Sequence, residues 1–280
     1  MDRTDWRPLR GVDRGRLREA RLQAHYAVQW LARAARAYIP ARPDDGHTNL
    51  GWDERFDGFA THPIRDGVRL GLKIAGLELV VLGGGSGAPA LRLDGQRDAA
   101  VRPWLGARIA ALGLNSGGLD APAPYALPEH AIAKGAAYAV ASLVDALAEL
   151  AAWFANADRT LDGVRTAMAE RQFAASAVRC WPHHFDIATL ATLGGAAARS
   201  VSAGLSPGDA WYDEPYYYVS PYPYPDAARL PPMPPLGHWH TRGFTAAVVP
   251  ASRILATRDR QAETAAFLRA ATAGAIAALG

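Results

Sequence analysis

Two short stretches carry half of the chain's eight histidines: Trp181-Pro182-His183-His184-Phe185-Asp186 and Gly237-His238-Trp239-His240-Thr241. In extended chain, residues i and i+2 face the same way. If 183–190 is a strand, His184 and Asp186 project together, while His183 and Phe185 face the opposite side. By the same rule His238 and His240 pair, with Trp239 reversed. On neighbouring strands these pairs would bring three imidazoles and one carboxylate to a single point. That donor set suits a divalent metal: zinc, iron or manganese. A second reading stands beside it. Trp181, His183, His184 and Phe185 could form an aromatic wall, with the histidines bonded to backbone and Asp186 paired with an arginine. With Arg253, the H-x-D and a distant histidine also match the facial triad of iron oxygenases. The sequence offers too few strands between those positions for that fold.

The segment 204–225 has the most unusual composition. Tyr212, Tyr216, Tyr217, Tyr218 and Tyr222 lie close to Trp211, Asp213 and Glu214. Tyrosine and tryptophan bring apolar area together with one polar handle, which suits a binding surface. In a strand Tyr216 and Tyr218 would face one side and Tyr217 the other. These residues define two candidate functions. The first is a metal-dependent hydrolase or lyase acting on a small polar or aromatic molecule. There His184, Asp186, His238 and His240 would be ligands and Glu214 the general acid or base. Trp181, His183, Trp211, Tyr216, Tyr218 and Arg242 would face the substrate. The metal would polarise the substrate or activate a water. The second is a non-catalytic protein that binds a ligand or partner through its tyrosine-rich surface, with structural histidines.

Other chemistry-bearing residues read more simply. His25 falls mid-helix beside Gln29, and His130 begins a helix as a capping residue. Glu54 is a solvated loop carboxylate. Cys180 has no aligned base at hand, since His183 and His184 follow it along an extended chain. The run 82–89, Leu-Gly-Gly-Gly-Ser-Gly-Ala-Pro, lacks the Gly-Lys-Ser/Thr ending of a phosphate loop and reads as a hairpin connection.

The elements that must position these residues follow from periodicity. Leu17, Leu22, Tyr26, Val28 and Leu31 recur at helical spacing over 12–39, and Pro40 closes that helix. Residues 68–95 alternate and are punctuated by glycine, as in a β-meander. A short helix follows. The span 128–155 predicts a strong helix, apolar on most sides and the most buried of the chain, with a second helix after it capped by Asp158. Strand-like runs fill 177–250, broken by a proline-rich loop, and a last helix spans 258–279. The fold expected is α+β: one domain over 1–280, with segments 1–95, 96–175 and 176–280. Both strand blocks would join in a single, mostly antiparallel sheet covered by helices on one face.

Composition bounds the function. Hydrophobic residues at 50% and charged residues at 20% are ordinary for a soluble globular chain. Although the net charge is +3, acids and arginines interleave without a basic run, which argues against a nucleic-acid partner. The two lysines leave 28 of 30 basic residues as arginine. That bias, with the many alanines, has the look of a high-GC bacterial gene. One cysteine excludes an internal disulfide, and neither a signal-like start nor a long uncharged run appears, so a cytoplasmic protein without a membrane partner is expected. The apolar, proline-rich 220–236 loop suggests a homodimer.

Three stretches together, 176–190, 200–225 and 237–255, resemble an uncharacterised bacterial family of hypothetical proteins. They are also distantly similar to a broader family whose domain has no known function. The carrying residues are Phe185, Asp186, Ile187 and Ala188, then Glu214, Pro215, Tyr216, Tyr217 and Tyr218. The resemblance implies a shape and no chemistry.

Overall fold

The computed structural model describes residues 6–84, 89–194 and 198–280. It is an α+β protein with two antiparallel sheets and long helices. The expected single sheet is therefore corrected to two. Its residues gather into two compact units. The first holds 12–151 and 180–185. The second holds 6–11, 152–179 and 186–280.

In the first unit, α1 (Arg14–Tyr38) begins at Asp13, whose carboxylate accepts from the Arg16 amide, and ends where Ile39 turns extended ahead of Pro40. Its apolar stripe buries Leu17, Val28 and Leu31, but Gln23, His25 and Gln29 are buried as well. Those polar groups are all satisfied. Gln23 Oε1 accepts from the Ala139 amide, and Gln29 Nε2 donates to the Pro182 carbonyl at 2.8 Å. A five-stranded meander follows: β1 (Gly51–Asp53), β2 (Gly58–Ala60), β3 (Arg69–Lys73), β4 (Glu78–Leu82) and β5 (Leu91–Arg92), paired in chain order. Leu70 and Leu72 of β3 are buried while Arg69 and Lys73 are half exposed, as alternation requires. Of the expected 82–89 connection, 85–88 lie outside the described residues. The short helix α2 (Val101–Ala111) then forms.

The predicted helix over 128–155 is corrected. Residues 131–134 form one 3-10 turn, which His130 caps as expected, and Gly135 ends it with φ +89°. Ala137 and Tyr138 then bridge to Arg97 and Asp94, so their backbone is already committed elsewhere. Helix α3 (Val144–Glu170) starts later and runs unbroken for 27 residues. Asp158 thus lies inside it rather than capping a second helix.

After β6 (Ala174–Ala175) and β7 (Arg179–Trp181), the second unit builds its sheet from β8 (Asp186–Thr192), β9 (Ser200–Ser206), β10 (Tyr216–Tyr222), β11 (His238–His240) and β12 (Ala246–Pro250). The spatial order is β11-β12-β10-β9-β8-β6. Helices α4 (Ala251–Leu255) and α5 (Arg260–Leu279) end the chain. Helix α5 packs on the face carrying Val201, Ala203, Tyr217, Val219 and Val249, and Trp153 of α3 approaches Tyr217 with ring centres 6.5 Å apart. Gly237 is required by this packing, because a Cβ there would enter the Phe267 ring of α5. A one-residue slip would exchange the two faces of every strand, so burial of one face fixes the register.

Candidate functional site

The opposite face of that sheet gathers the chemistry. Registry places Asp186 and Ala188 of β8, Gly204 and Ser206 of β9, Tyr216 and Tyr218 of β10, and His238 and His240 of β11 on one side. The expected alternation of the tyrosines holds: Tyr217 points to the other side, fully buried. Tyr218 reaches across β9 and donates to Asp186 Oδ2 at 2.5 Å. Only glycine at 204 permits this crossing, since a Cβ would stand 2.5 Å from the Tyr218 ring and 2.8 Å from the Ile187 carbonyl. Burial, then the neighbouring Asp186 charge, pushes the Tyr218 hydroxyl well above the ordinary phenol range. It remains a donor.

The turn before β10 is built on Asp209. One of its oxygens accepts from the amides of Trp211 at 2.7 Å and Tyr212 at 3.0 Å. The other accepts from the Tyr216 hydroxyl at 2.6 Å. This Asx-type turn fixes Tyr212, whose hydroxyl sits 3.0 Å from His238 Nε2 and 3.0 Å from His240 Nδ1. His240 Nε2 lies 2.6 Å from the Arg242 carbonyl. A carbonyl can only accept, so Nε2 carries the proton of the neutral ring and Nδ1 must accept. Tyr212 therefore donates to His240 and receives from His238. Three side chains form one directed hydrogen-bond chain ending on backbone. Burial, then Arg253 and His240, holds the His238 imidazole below its ordinary pKa, which favours the neutral donor this chain needs.

Around the chain stands an aromatic rim. Phe244 stacks on His240 with ring centres 4.2 Å apart, and Trp211 meets His240 edge-on at 5.2 Å. Trp211 lies over Gly243, whose φ is +78° and where a Cβ would come within 2.7 Å of the indole. Although held from both sides, Trp211 is 49% exposed. Arg242 is exposed beside it.

The expected metal ligands do not assemble. Asp186 on β8 and the histidines on β11 are separated by β9, β10 and β12. Four strand spacings of about 4.8 Å amount to roughly 19 Å, whereas ligands of one zinc lie within about 4 Å of each other. Both nitrogens of His240 are already engaged. Among the described residues no group of three or more histidine, cysteine, aspartate or glutamate side chains is arranged to hold a metal. Glu214 is corrected as an acid or base. Its carboxylate accepts from the Ser252 amide at 2.6 Å and the Ser252 hydroxyl at 2.9 Å, in the first turn of α4.

Trp181, His183 and His184 belong to the first unit, in a tight turn rather than the expected strand over 183–190. The amides of His184 and Phe185 both donate to the Trp181 carbonyl, and Phe185 takes φ +59°. Phe185 is fully buried, stacked on His25 at 5.2 Å and edge-on to Phe59 at 6.2 Å. The Pro182 carbonyl accepts from His25 Nε2 at 2.9 Å as well as from Gln29. His183 sits 4.2 Å from His184 and 5.7 Å from Tyr125, ring centre to ring centre. Burial first, and then charged neighbours, depresses His183 and His25 to about 4 each. The rings of this stretch pack together, while Asp186 beyond it accepts from Tyr218 and not from the arginine that the aromatic-wall reading expected.

Sequence reasoning named Tyr212 among the tyrosines of a binding surface but gave it no role of its own, and it missed Asp209, Phe244 and Gly243 as site residues. The signal for Asp209 was present in Ser-Pro-Gly-Asp, a turn composition with an acceptor two residues ahead of Trp211. No local pattern pointed to Phe244. Comparison of the chain with family models, with curated proteins and with solved structures returned no match.

Proposed function

We propose that the chain is a non-catalytic binding protein, and that it takes a small aromatic molecule with a polar group beside Trp211, Tyr212, His240 and Phe244. The observation that carries this reading is Trp211. A large apolar ring left half exposed is costly unless something covers it, yet this one is held by the Asp209 turn and seated on a glycine. A ring fixed before binding loses little entropy on contact with a planar ligand. The histidines supply oriented hydrogen bonds at the base of the rim, and their role is structural in this reading. Glu214 is bonded to the start of α4 in this reading.

Saturation-transfer NMR with indole and p-cresol tests it, using the wild type and Trp211→Ala. The expected result is transfer to the aromatic protons in the wild type and its loss in the variant, with unchanged circular dichroism. No transfer to the wild type, or equal transfer to both proteins, refutes the proposal.

A further inference from the structure

The first unit holds a separate cleft of about 550 Å³, lined by Tyr26, Gln29, Trp30 and Arg33 of α1 and by Arg97 and Asp98 ahead of α2. Leu127, Ile132 and Ala133 add an apolar wall. Pockets of several hundred Å³ are the size that encloses small organic ligands.

Its charges are unevenly matched. The charged residues of its lining are two arginines, Arg33 and Arg97, and one carboxylate, Asp98. Asp98 is already a double acceptor: Oδ1 receives Trp30 Nε1 at 2.8 Å and the Tyr138 hydroxyl at 2.7 Å. The other acid that Arg33 feels, Asp120, is bound to Arg102 at 2.6 Å. Arg33 stacks its guanidinium over Trp30, 4.6 Å from the ring centre. Its Nε is buried and makes no hydrogen bond among the described residues. Nε has no surface open to solvent, so the part of Arg33 that a ligand can meet is the rest of the side chain where it lines the cleft. Gln29 cannot compete for that part, because both of its donor contacts and its acceptor contact are made within the fold. Arg97, exposed at the rim, can close on the same group.

We infer that this cleft binds a small monocarboxylate with a flat apolar body. The carboxylate meets Arg33 and Arg97 in the forked geometry that guanidinium favours. The body lies along Tyr26, Leu127 and Ile132. One negative charge balances the one uncompensated cation of the lining.

Isothermal titration with 2-naphthoate, and with the uncharged 2-naphthalenemethanol, tests the inference on the full chain. The acid should bind, and the alcohol at least about tenfold more weakly. Arg33→Gln and Arg97→Gln should each weaken the acid by about tenfold or more. The exposed position of Arg97 keeps the test valid if Arg33→Gln does not fold. The same titrations are repeated in the Trp211→Ala background, which removes the ring of the second-unit site. Binding that persists there and weakens on adding Arg97→Gln belongs to this cleft. Three results overturn the inference: no heat from the acid up to millimolar concentration, equal affinity for acid and alcohol, or affinity unchanged in both arginine variants. Inorganic phosphate displacing the acid at equal concentration would also overturn it, as a site for anions in general.

Discussion

His183 and His184 lie side by side in a turn, and His238 and His240 lie two apart in a strand. In the turn, backbone does the bonding: the Pro182 carbonyl is the shared acceptor for α1, and the rings pack against each other and against Tyr125. In the strand, side chains do the bonding: the pleat turns both imidazoles to one hydroxyl, and the backbone is occupied by β12. The same residue type is therefore a packing piece in one region and an oriented hydrogen-bond element in the other. What decides between them is whether the local backbone leaves the ring nitrogens a common target.

The largest effect should come from the turn. Phe185→Ala removes a fully buried ring from between His25 and Phe59, and should cost about 3–5 kcal/mol in urea unfolding. A loss below about 1 kcal/mol would mean that the turn is not anchored by packing. On the strand side, Gly204→Ala should cost about 1–3 kcal/mol, because the new methyl displaces Tyr218 from Asp186. Tyr218→Phe in the same background should then add little, since the bond is already broken.

Acid titration bears most on the turn, with the lowered His238 of the strand adding in the same direction. His25 and His183 are held near 4 in the fold, below the ordinary value of about 6.5. The unfolded chain thus binds more protons than the folded one between those values. Stability from these residues is present above about pH 6.5 and is lost as pH falls toward 4, at up to about 1.4 kcal/mol per pH unit for the buried His25 and less for the partly exposed His183, which solvent screens. Fluorescence-monitored unfolding across that window should show the slope, and His25→Gln should flatten it. A slope unchanged in His25→Gln would remove His25 from this account.

Smaller effects fall on the strand. Tyr212→Phe removes the hydroxyl shared by two imidazoles and should cost about 1 kcal/mol, with shifted His238 and His240 ring resonances in NMR. Chelator should leave the thermal midpoint unchanged, because the His240 nitrogens are both engaged within the fold. A drop of several degrees in EDTA would restore the metal reading of these histidines.

Much of the architecture is legible in the sequence because it follows from period. Helix α1, the meander, the alternation of Tyr216, Tyr217 and Tyr218, and the cap at His130 each rest on local rules. The failures share a cause: a distant partner overrides a local pattern. Residues 131–143 are as small and apolar as a helix requires, yet Gly135 and the bridges of Ala137 to Arg97 and of Tyr138 to Asp94 hold them out of one. Asn156 looks like a helix break but pairs with the backbone of Arg7. Phenylalanine seldom takes positive φ, so nothing near Phe185 announces that strand spacing does not apply to His184 and Asp186. At the site, the pairing of Tyr212 with His238 and His240 depends on the return of β11 beside β12, which no local pattern encodes.

The six-residue stretch 180–185 belongs to one unit while the chain on either side of it belongs to the other. With the boundaries near 11 and 151, the polypeptide passes between the units four times. Neither unit is therefore a contiguous stretch of gene. A cut anywhere between residues 12 and 185 leaves neither unit whole in either fragment, so the fragments of such a cut should be sought as complementing pairs and not as independent halves.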